Sequence, residues 1–378
     1  MEMIDLEYMT KNIISPADEM QYFFCYYDLQ PYDNTGERHL AHRVRFSDRA
    51  PGIGDLAELG FVSGKRFYKI AETAAWNFQQ GAMLQWFEAD FSIIANDFDG
   101  TKYVARVFGL NGSELDRYDA PFAALNLFSK YAVSVNFSRI YDFRKGYGYC
   151  NIPDPFENLN APDEDGIFLI NLKTKEKKLL ASYDSLRKAF EEHPFTDKKL
   201  VVNHITFNPS GTKCVFLLRN FPDGENMWAT VLATIDLNGE IKQLTKFEVN
   251  SHYSWKDDRT LMIYSGLPEW GIYFIDVVTG ERHRLNDSLC EHNDIHCNYS
   301  PDRNSFIGDG YPYDNKRSIY LYDFKQKRSK ELIRVFSKPV KDIDIRCDLH
   351  ARWSRDGKRI SYDTTENRKR EIAEIMLK

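Results

Sequence analysis

The chain has 378 residues, with 50 Lys and Arg against 56 Asp and Glu, a formal charge of −6 that offers no footprint for a phosphate backbone or an anionic membrane surface. Nucleic acid is therefore not an expected partner, and without a run of about 18 uninterrupted apolar residues neither is a membrane interior. The 43% hydrophobic share, with 26 Phe, 22 Tyr and 6 Trp, supplies a large core and excludes a disordered chain.

The N-terminus carries acids at Glu2, Asp5 and Glu7, where a secretory signal needs basic residues ahead of an apolar run, so the expected location is cytoplasmic. The 6 cysteines are scattered through a long chain and are expected to be mostly free thiols. Ile4 to Met9 reads as a lone strand. Tyr22 to Leu29 then opens a hairpin, and Met83 to Asp97 and Ala124 to Phe137 open two more. Short hairpins follow at Val107 to Tyr118 and Phe168 to Leu180. The stretch from Ser182 predicts the one helix, within an insertion near 182–199.

From there four segments align on a histidine, at His204, His252, His296 and His350, spaced 48, 44 and 54 residues apart. Three residues after each comes an aromatic (Phe207, Trp255, Tyr299, Trp353), then turn-formers, then an alternating β-rich run. Each unit continues with a second hairpin, as in Ala233 to Leu244, Tyr273 to Leu285 and Tyr320 to Leu332. A period near 45 residues is that of a four-stranded propeller blade. The expected fold is all-β: one domain over 1–378, a seven-bladed β-propeller of four-stranded antiparallel blades, closed by the N-terminal strand in the last blade.

The first strand of a propeller blade lines the central channel, so the four histidines are expected at one mouth. Residues two apart on a strand share a face, which groups Arg346, Asp348 and His350, with His296 one blade away. Two imidazoles and a carboxylate with open positions suit Zn, Mn or another divalent ion, or else a salt-bridged mouth. A separate zinc site within Cys290 to Cys297 is the weaker arrangement. Arg219 ends the strand returning from the Pro209-Ser210-Gly211 turn and is expected level with His204; Tyr311 follows His296 as Arg219 follows His204. Trp76, Asn77 and Gln80 offer a ring and amides for stacking and hydrogen bonding to hydroxyls, and with Arg346 form the candidate substrate-binding set.

Ala75 to Trp86, Arg144 to Tyr149, Val202 to Thr212, Ser251 to Trp255, His296 to Asp302 and Cys347 to Gly357 together resemble the propeller polysaccharide lyases of the oligogalacturonate lyase and ulvan lyase type. The resemblance implies β-elimination at a 4-linked uronic acid in an acidic oligosaccharide. Oligogalacturonate lyases hold a divalent metal with three histidines and a glutamine. The matching places are His296, Asp348, His350 and Ile345, so one histidine has become Asp and the glutamine Ile. The resemblance also places Arg219 where the family has a catalytic arginine. His204, His252 and Tyr311 match the histidine and tyrosine that ulvan lyases use. The alternative is a non-catalytic propeller that binds a glycan or a protein; oligomeric state is not legible.

Overall fold

The computed structural model describes residues 9–190, 198–222, 228–266, 268–287 and 294–377. Strand β1 (Thr10–Ile13) belongs to the last blade. Blade one is β2 (Gln21–Phe23), β3 (His39–Val44), β4 (Ala57–Ser63) and β5 (Arg66–Thr73), and blade two is β6 (Gln85–Phe87), β7 (Ser92–Phe98), β8 (Tyr103–Gly109) and β9 (Glu114–Tyr118). Blade three is β10 (Ala124–Asn126), β11 (Tyr131–Ser134), β12 (Gly166–Asn171) and β13 (Lys177–Ser182). Blade four is β14 (Leu200–Phe207), β15 (Lys213–Asn220), β16 (Thr230–Asp236) and β17 (Ile241–Gln243). Blade five is β18 (Asn250–Trp255), β19 (Thr260–Ser265), β20 (Gly271–Asp276) and β21 (Arg282–Arg284). Blade six is β22 (His296–Tyr299), β23 (Ser305–Asp309), β24 (Lys316–Asp323) and β25 (Arg328–Phe336). The last sheet runs β1, β28 (Glu371–Met376), β27 (Arg359–Thr364), β26 (Arg352–Trp353), so the fold is a seven-bladed β-propeller of four-stranded antiparallel sheets.

The chain packs as two compact units. One holds blades one, six and seven with most of blade two (residues up to Asp97, Arg106–Arg117 and Asn286 onward), and the other holds Phe98–Ala105 and Tyr118–Leu285, with blades three to five.

The turn chemistry explains why the histidine segments are hairpins. Asn208 Oδ1 accepts from the amides of Thr212 and Lys213, Asp257 Oδ1 from those of Arg259 and Thr260, Asp302 Oδ1 from that of Asn304, and Asp356 Oδ1 from that of Lys358. Such side chains satisfy the turn's own backbone donors and tie it shut. Gly211 takes φ +68° in the first of these turns, a conformation that excludes most residues. Central strands such as β15, buried at all but its first residue, carry apolar side chains on both faces, whereas outer strands such as β5 are largely exposed.

Two expectations are corrected. The closing strand is Thr10–Ile13, paired with Met376 to Ala373 of β28, and not Ile4 to Met9. Residues 4–8 lie outside the described residues, and Met9 precedes the strand. Met9 and Ile13 pack on the blade-seven core around Ile360 and Ile375, and the amides of Ile14 and Ser15 both donate to Ile372 O, so the register is set by the chain's entry into blade one. The expected helix is present as α2 (Tyr183–Ala189), with residues 191–197 outside the described set, but it is preceded by another, α1 (Phe137–Phe143), capped by Asn136 accepting from Arg139 N. That short helix follows a strand too closely for an apolar period to reveal it. No helix among the described residues is long and apolar enough to cross a membrane.

Blade one buries two histidines of β3. His39 Nδ1 donates to Leu40 O at 2.7 Å, and His42 Nε2 accepts from Ala82 N at 3.0 Å while its ring stacks on Phe23. Burial pushes both down to about 3. Folded, they stay neutral; unfolded, they take up protons below about pH 6.5, so stability falls as pH drops below that value. Each histidine is expected to remove about 1.4 kcal/mol per pH unit between pH 6.5 and 5. Urea titrations across that window should show a slope that is flattened in the His39→Gln/His42→Gln double variant; an unchanged slope would contradict this assignment.

Candidate functional site

In the unit that holds blades six and seven, the segment from Arg346 to His350 carries the expected constellation, but not as a strand. A 3-10 turn over Ile343–Ile345, capped by Asp342, precedes it, and β26 begins only at Arg352. The backbone is instead pinned through its carbonyls: Arg370 Nη2 donates to the carbonyl oxygens of Ile345 and Arg346, and Gln79 Nε2 donates to that of Arg346 at 2.9 Å. His350 is held at φ +44°, in the left-handed region that is uncommon for residues other than glycine and that histidine, like Asn and Asp, enters more readily than most.

Asp348, fully buried, lies between two guanidiniums. Arg317 Nη2 is 2.6 Å from its Oδ1 and Arg346 Nε is 2.7 Å from its Oδ2. Burial alone would raise its pKa, but the two arginines hold the carboxyl well below the usual range. Arg317 is itself fixed by Gly310 O at 2.8 Å and Ser337 Oγ at 3.3 Å. Tyr311, 42% exposed, faces both guanidiniums at 5.7 Å.

The two imidazoles of this unit meet at right angles, ring centroids 4.5 Å apart. Nδ1 of His296 is 3.3 Å from Asp309 Oδ2, a carboxylate that also accepts from Leu349 N at 3.0 Å. A carboxylate so placed fixes the ring and turns Nε2 towards the cluster. His350 Nε2 is buried without a hydrogen bond and lies 4.0 Å from Asp348 Oδ2. Burial, then the neighbouring His296, keep His350 neutral, well below the ordinary histidine value. Tyr26 packs edge-on against His350 at 4.8 Å and Tyr27 against His296 at 5.3 Å. One donor atom from each of His296, Asp348 and His350 can be chosen so that all lie within 4.8 Å of one another. Two imidazoles and an ionised carboxylate are the donor set of a three-ligand divalent site with open positions. Ile345 is buried in the apolar cluster of blades one and two and supplies no fourth ligand.

Arginine 352 and the adjoining strands position the tyrosines. Arg352 is fully buried, ion-paired with Asp363 at 3.2 Å, and donates to the carbonyls of Cys25 and Tyr26, while Asp363 accepts from Phe24 N.

In the other unit, β14 bulges at Asn203: Val202 pairs with Leu218 and His204 with Leu217. The extra residue turns its Oδ1 towards Arg219 Nη1, at 2.6 Å. Arg219 stands opposite Val201, not level with His204 as expected: the hairpin register pairs His204 with Leu217, two residues short of Arg219, and the bulge adds one further step. Its Nε donates to Thr230 Oγ1 at 3.1 Å and Nη2 to Asn250 O at 3.4 Å. β18 is irregular at the same level, between Asn250 and Tyr253, which places His252 in the break. The His204 ring stacks on Tyr253 with centroids 4.5 Å apart.

The candidate sugar-binding residues are interior. Trp76 is 2% exposed among Phe23, Phe46 and Phe78, its indole N–H bonded to Asp55 O at 3.0 Å. Asn77 is fully buried and its Oδ1 accepts from the amides of Gln79 and Gln80, and Gln80 is 5% exposed. Neither Trp76 nor Asn77 presents surface to a sugar. Cys290 and His292 of the alternative zinc cluster lie outside the described residues, and Cys297 is buried. Sequence reasoning missed Arg317, Asp309, Tyr26 and Tyr27. Asp309 alone carried a signal, a carboxylate thirteen residues after His296, at the slot that in blade four is Leu217.

No family model matches the chain, and no curated protein sequence does. Among solved structures it is similar to an oligogalacturonate lyase in complex with manganese, at 14% identity and TM-score 0.66, covering 98% of this chain and 96% of that one. It is similar also to the oligogalacturonate lyase of Vibrio parahaemolyticus, at 11% identity and TM-score 0.65, covering 97% and 96%. Prolyl oligopeptidase B of Galerina marginata matches at 10% identity and TM-score 0.57, over 95% of this chain and 49% of that one. The likeness shows a shared propeller fold.

Removing the Asp348 carboxylate should leave two buried guanidiniums without a counter-ion. Asp348→Ala is expected to cost about 3–5 kcal/mol in urea unfolding, and additional loss of Arg317 and Arg346 (Arg317→Met/Arg346→Met) should restore part of it. A loss below about 1 kcal/mol would mean the pair carries no such weight.

Proposed function

We propose that the protein is a carbohydrate-active lyase that cleaves uronic-acid-containing oligosaccharides by β-elimination. The observation that carries the reading is the buried grouping of His296, Asp348 and His350 beside Arg317, Arg346 and Tyr311. A divalent ion held by those three residues, Mn or Zn, would neutralise the substrate's C6 carboxylate and so acidify H5. Manganese is named with one solved lyase of similar fold, which supports that choice.

The elimination removes H5 as a proton, moves the C5–H electrons into a C4=C5 double bond and breaks C4–O4, the departing oxygen leaving with a proton. We assign the base to His204, with His252 as the second candidate. Arg219 donates from Nε, Nη1 and Nη2 to three acceptors, and a guanidinium so engaged stays protonated. Its role in this reading is a fixed positive charge for the carboxylate and the enediolate-like transition state. Tyr311, or water, returns the proton to O4. Arg346 stands beside the carboxylate-binding position as a second cation. The partner is an acidic oligosaccharide. Cys25, Cys214 and Cys347 are buried thiols, the state that a reducing compartment maintains, and we place the protein in the cytoplasm.

Two measurements test this. Purified protein should carry about one equivalent of divalent metal that stabilises it by mass action; His350→Ala should lose both the metal and the chelator-sensitive part of Tm. Unsaturated product, followed by its ultraviolet absorbance on galacturonate, glucuronate and iduronate oligomers, should fall about 100- to 10,000-fold in His204→Ala with substrate binding retained. Binding without turnover by wild type on every uronate would favour a non-catalytic glycan-binding propeller.

A further inference from the structure

Blades four and five each carry an indole in the turn between their second and third strands. Trp228 follows β15 and Trp270 follows β19. The strand register puts these turns at the end of each blade where its first strand begins, since Leu200 pairs with Asn220 and Asn250 with Ser265. Trp228 has the Arg144 and Arg219 guanidiniums 5.6 and 5.8 Å from its ring centre. Blade six, in the other unit, repeats the pairing with Tyr311 and its two arginines.

Trp270 is the exposed member, with 50% of its surface open. Its ring stacks on Tyr264, centroids 5.8 Å apart and planes 27° from parallel. The benzo edge of the ring also borders Gly266, at ordinary contact distance from where a Cβ would stand, 3.4–3.5 Å. Arg284 Nη2 donates to Trp270 O at 3.0 Å while its Nη1 pairs with Glu269 Oε1 at 3.4 Å, and Tyr273 donates to Glu269 O at 2.7 Å, which anchors the backbone of Glu269 and Trp270 beside β20. The result is an aromatic plate backed by Tyr264, with half of its surface open to water. The C–H face of a pyranose ring fits such a plate, and little side-chain entropy is lost on binding.

We infer that Trp270, backed by Tyr264 and bordered by Gly266, is a stacking subsite for a sugar unit of a uronate oligosaccharide, an inference that rests on the proposed function for the class of sugar. The test is binding and turnover on uronate oligomers of two to five units with wild type, Trp270→Ala and Trp270→Phe. Trp270→Ala should weaken Kd and raise KM about tenfold for the longer oligomers, leave the shortest unchanged and keep kcat, and Trp270→Phe should recover most of the affinity. Equal affinity of wild type and Trp270→Ala at every length would overturn the subsite while leaving the lyase reading intact. If wild type binds no uronate oligomer, the lyase reading fails instead. A change in oligomeric mass in Trp270→Ala with sugar affinity untouched would show that the plate is a protein contact and overturn the subsite.

Discussion

A carboxylate with no solvent contact, at Asp348, organises the unit that contains blades six and seven. Burying an ion costs several kcal/mol unless partners offset the lost hydration. Here two guanidiniums do so from different parts of the chain, Arg317 on β24 and Arg346 in the irregular segment before β26. Each is tied further to backbone oxygen, at Gly310 and Ile343. The carboxylate thus draws a strand and a loop to one point, and the loop can then hold His350 in its left-handed backbone conformation. A neutral side chain at 348 would leave both cations stranded, so the position is under stronger constraint than its lack of regular structure suggests.

The blade repeat was legible because its signals are local. Asn208, Asp257, Asp302 and Asp356 close their turns with their own side chains, and each turn lies between runs whose alternation marks strands. The grouping of His296, Asp348 and His350 was legible because the repeat aligns the two histidines, although the segment before β26 is irregular and the strand alternation used to add Asp348 does not hold there. Arg317 was not, because it enters from the third strand of its blade, where nothing in the local pattern distinguishes it from a surface arginine. Trp76 and Asn77 were misread in the opposite sense. An aromatic ring with amide neighbours describes equally a sugar platform and a buried ring over an Asx-capped turn, and only burial separates the two.

Register was the other hidden variable. The turn alone does not reveal that His204 pairs with Leu217, which already leaves Arg219 two residues further along, and one extra residue at Asn203 moves it from Val202 to Val201 and gives it a hydrogen-bond acceptor in the same stroke. A break occurs again in β18 around His252. Bulges of this kind re-aim side chains at the ends of strands, and the residues that produce them, an Asn and a Ser-His pair, carry no composition that announces a bulge.

A single slot in the repeat shows how one blade template yields two chemistries. Thirteen residues after each histidine the chain returns to the same end of its blade, at Leu217, Ser265, Asp309 and Asp363. In blades four and five the slot is uncharged; Ser265 donates to Glu248 and Leu217 is core. In blades six and seven it is a buried aspartate, and each aspartate orients a basic side chain: Asp309 the ring of His296, and Asp363 the guanidinium of Arg352. Arg352 in turn holds the carbonyl of Tyr26, whose ring packs against His350. The carboxylates at this slot therefore do in blades six and seven what Leu217 cannot do in blade four, which is to orient a basic side chain, the imidazole of His296 in one and the guanidinium of Arg352 in the other. That difference separates His296, closed with His350 into a buried donor cluster, from His204, whose ring rests on Tyr253 and whose own slot is the apolar Leu217.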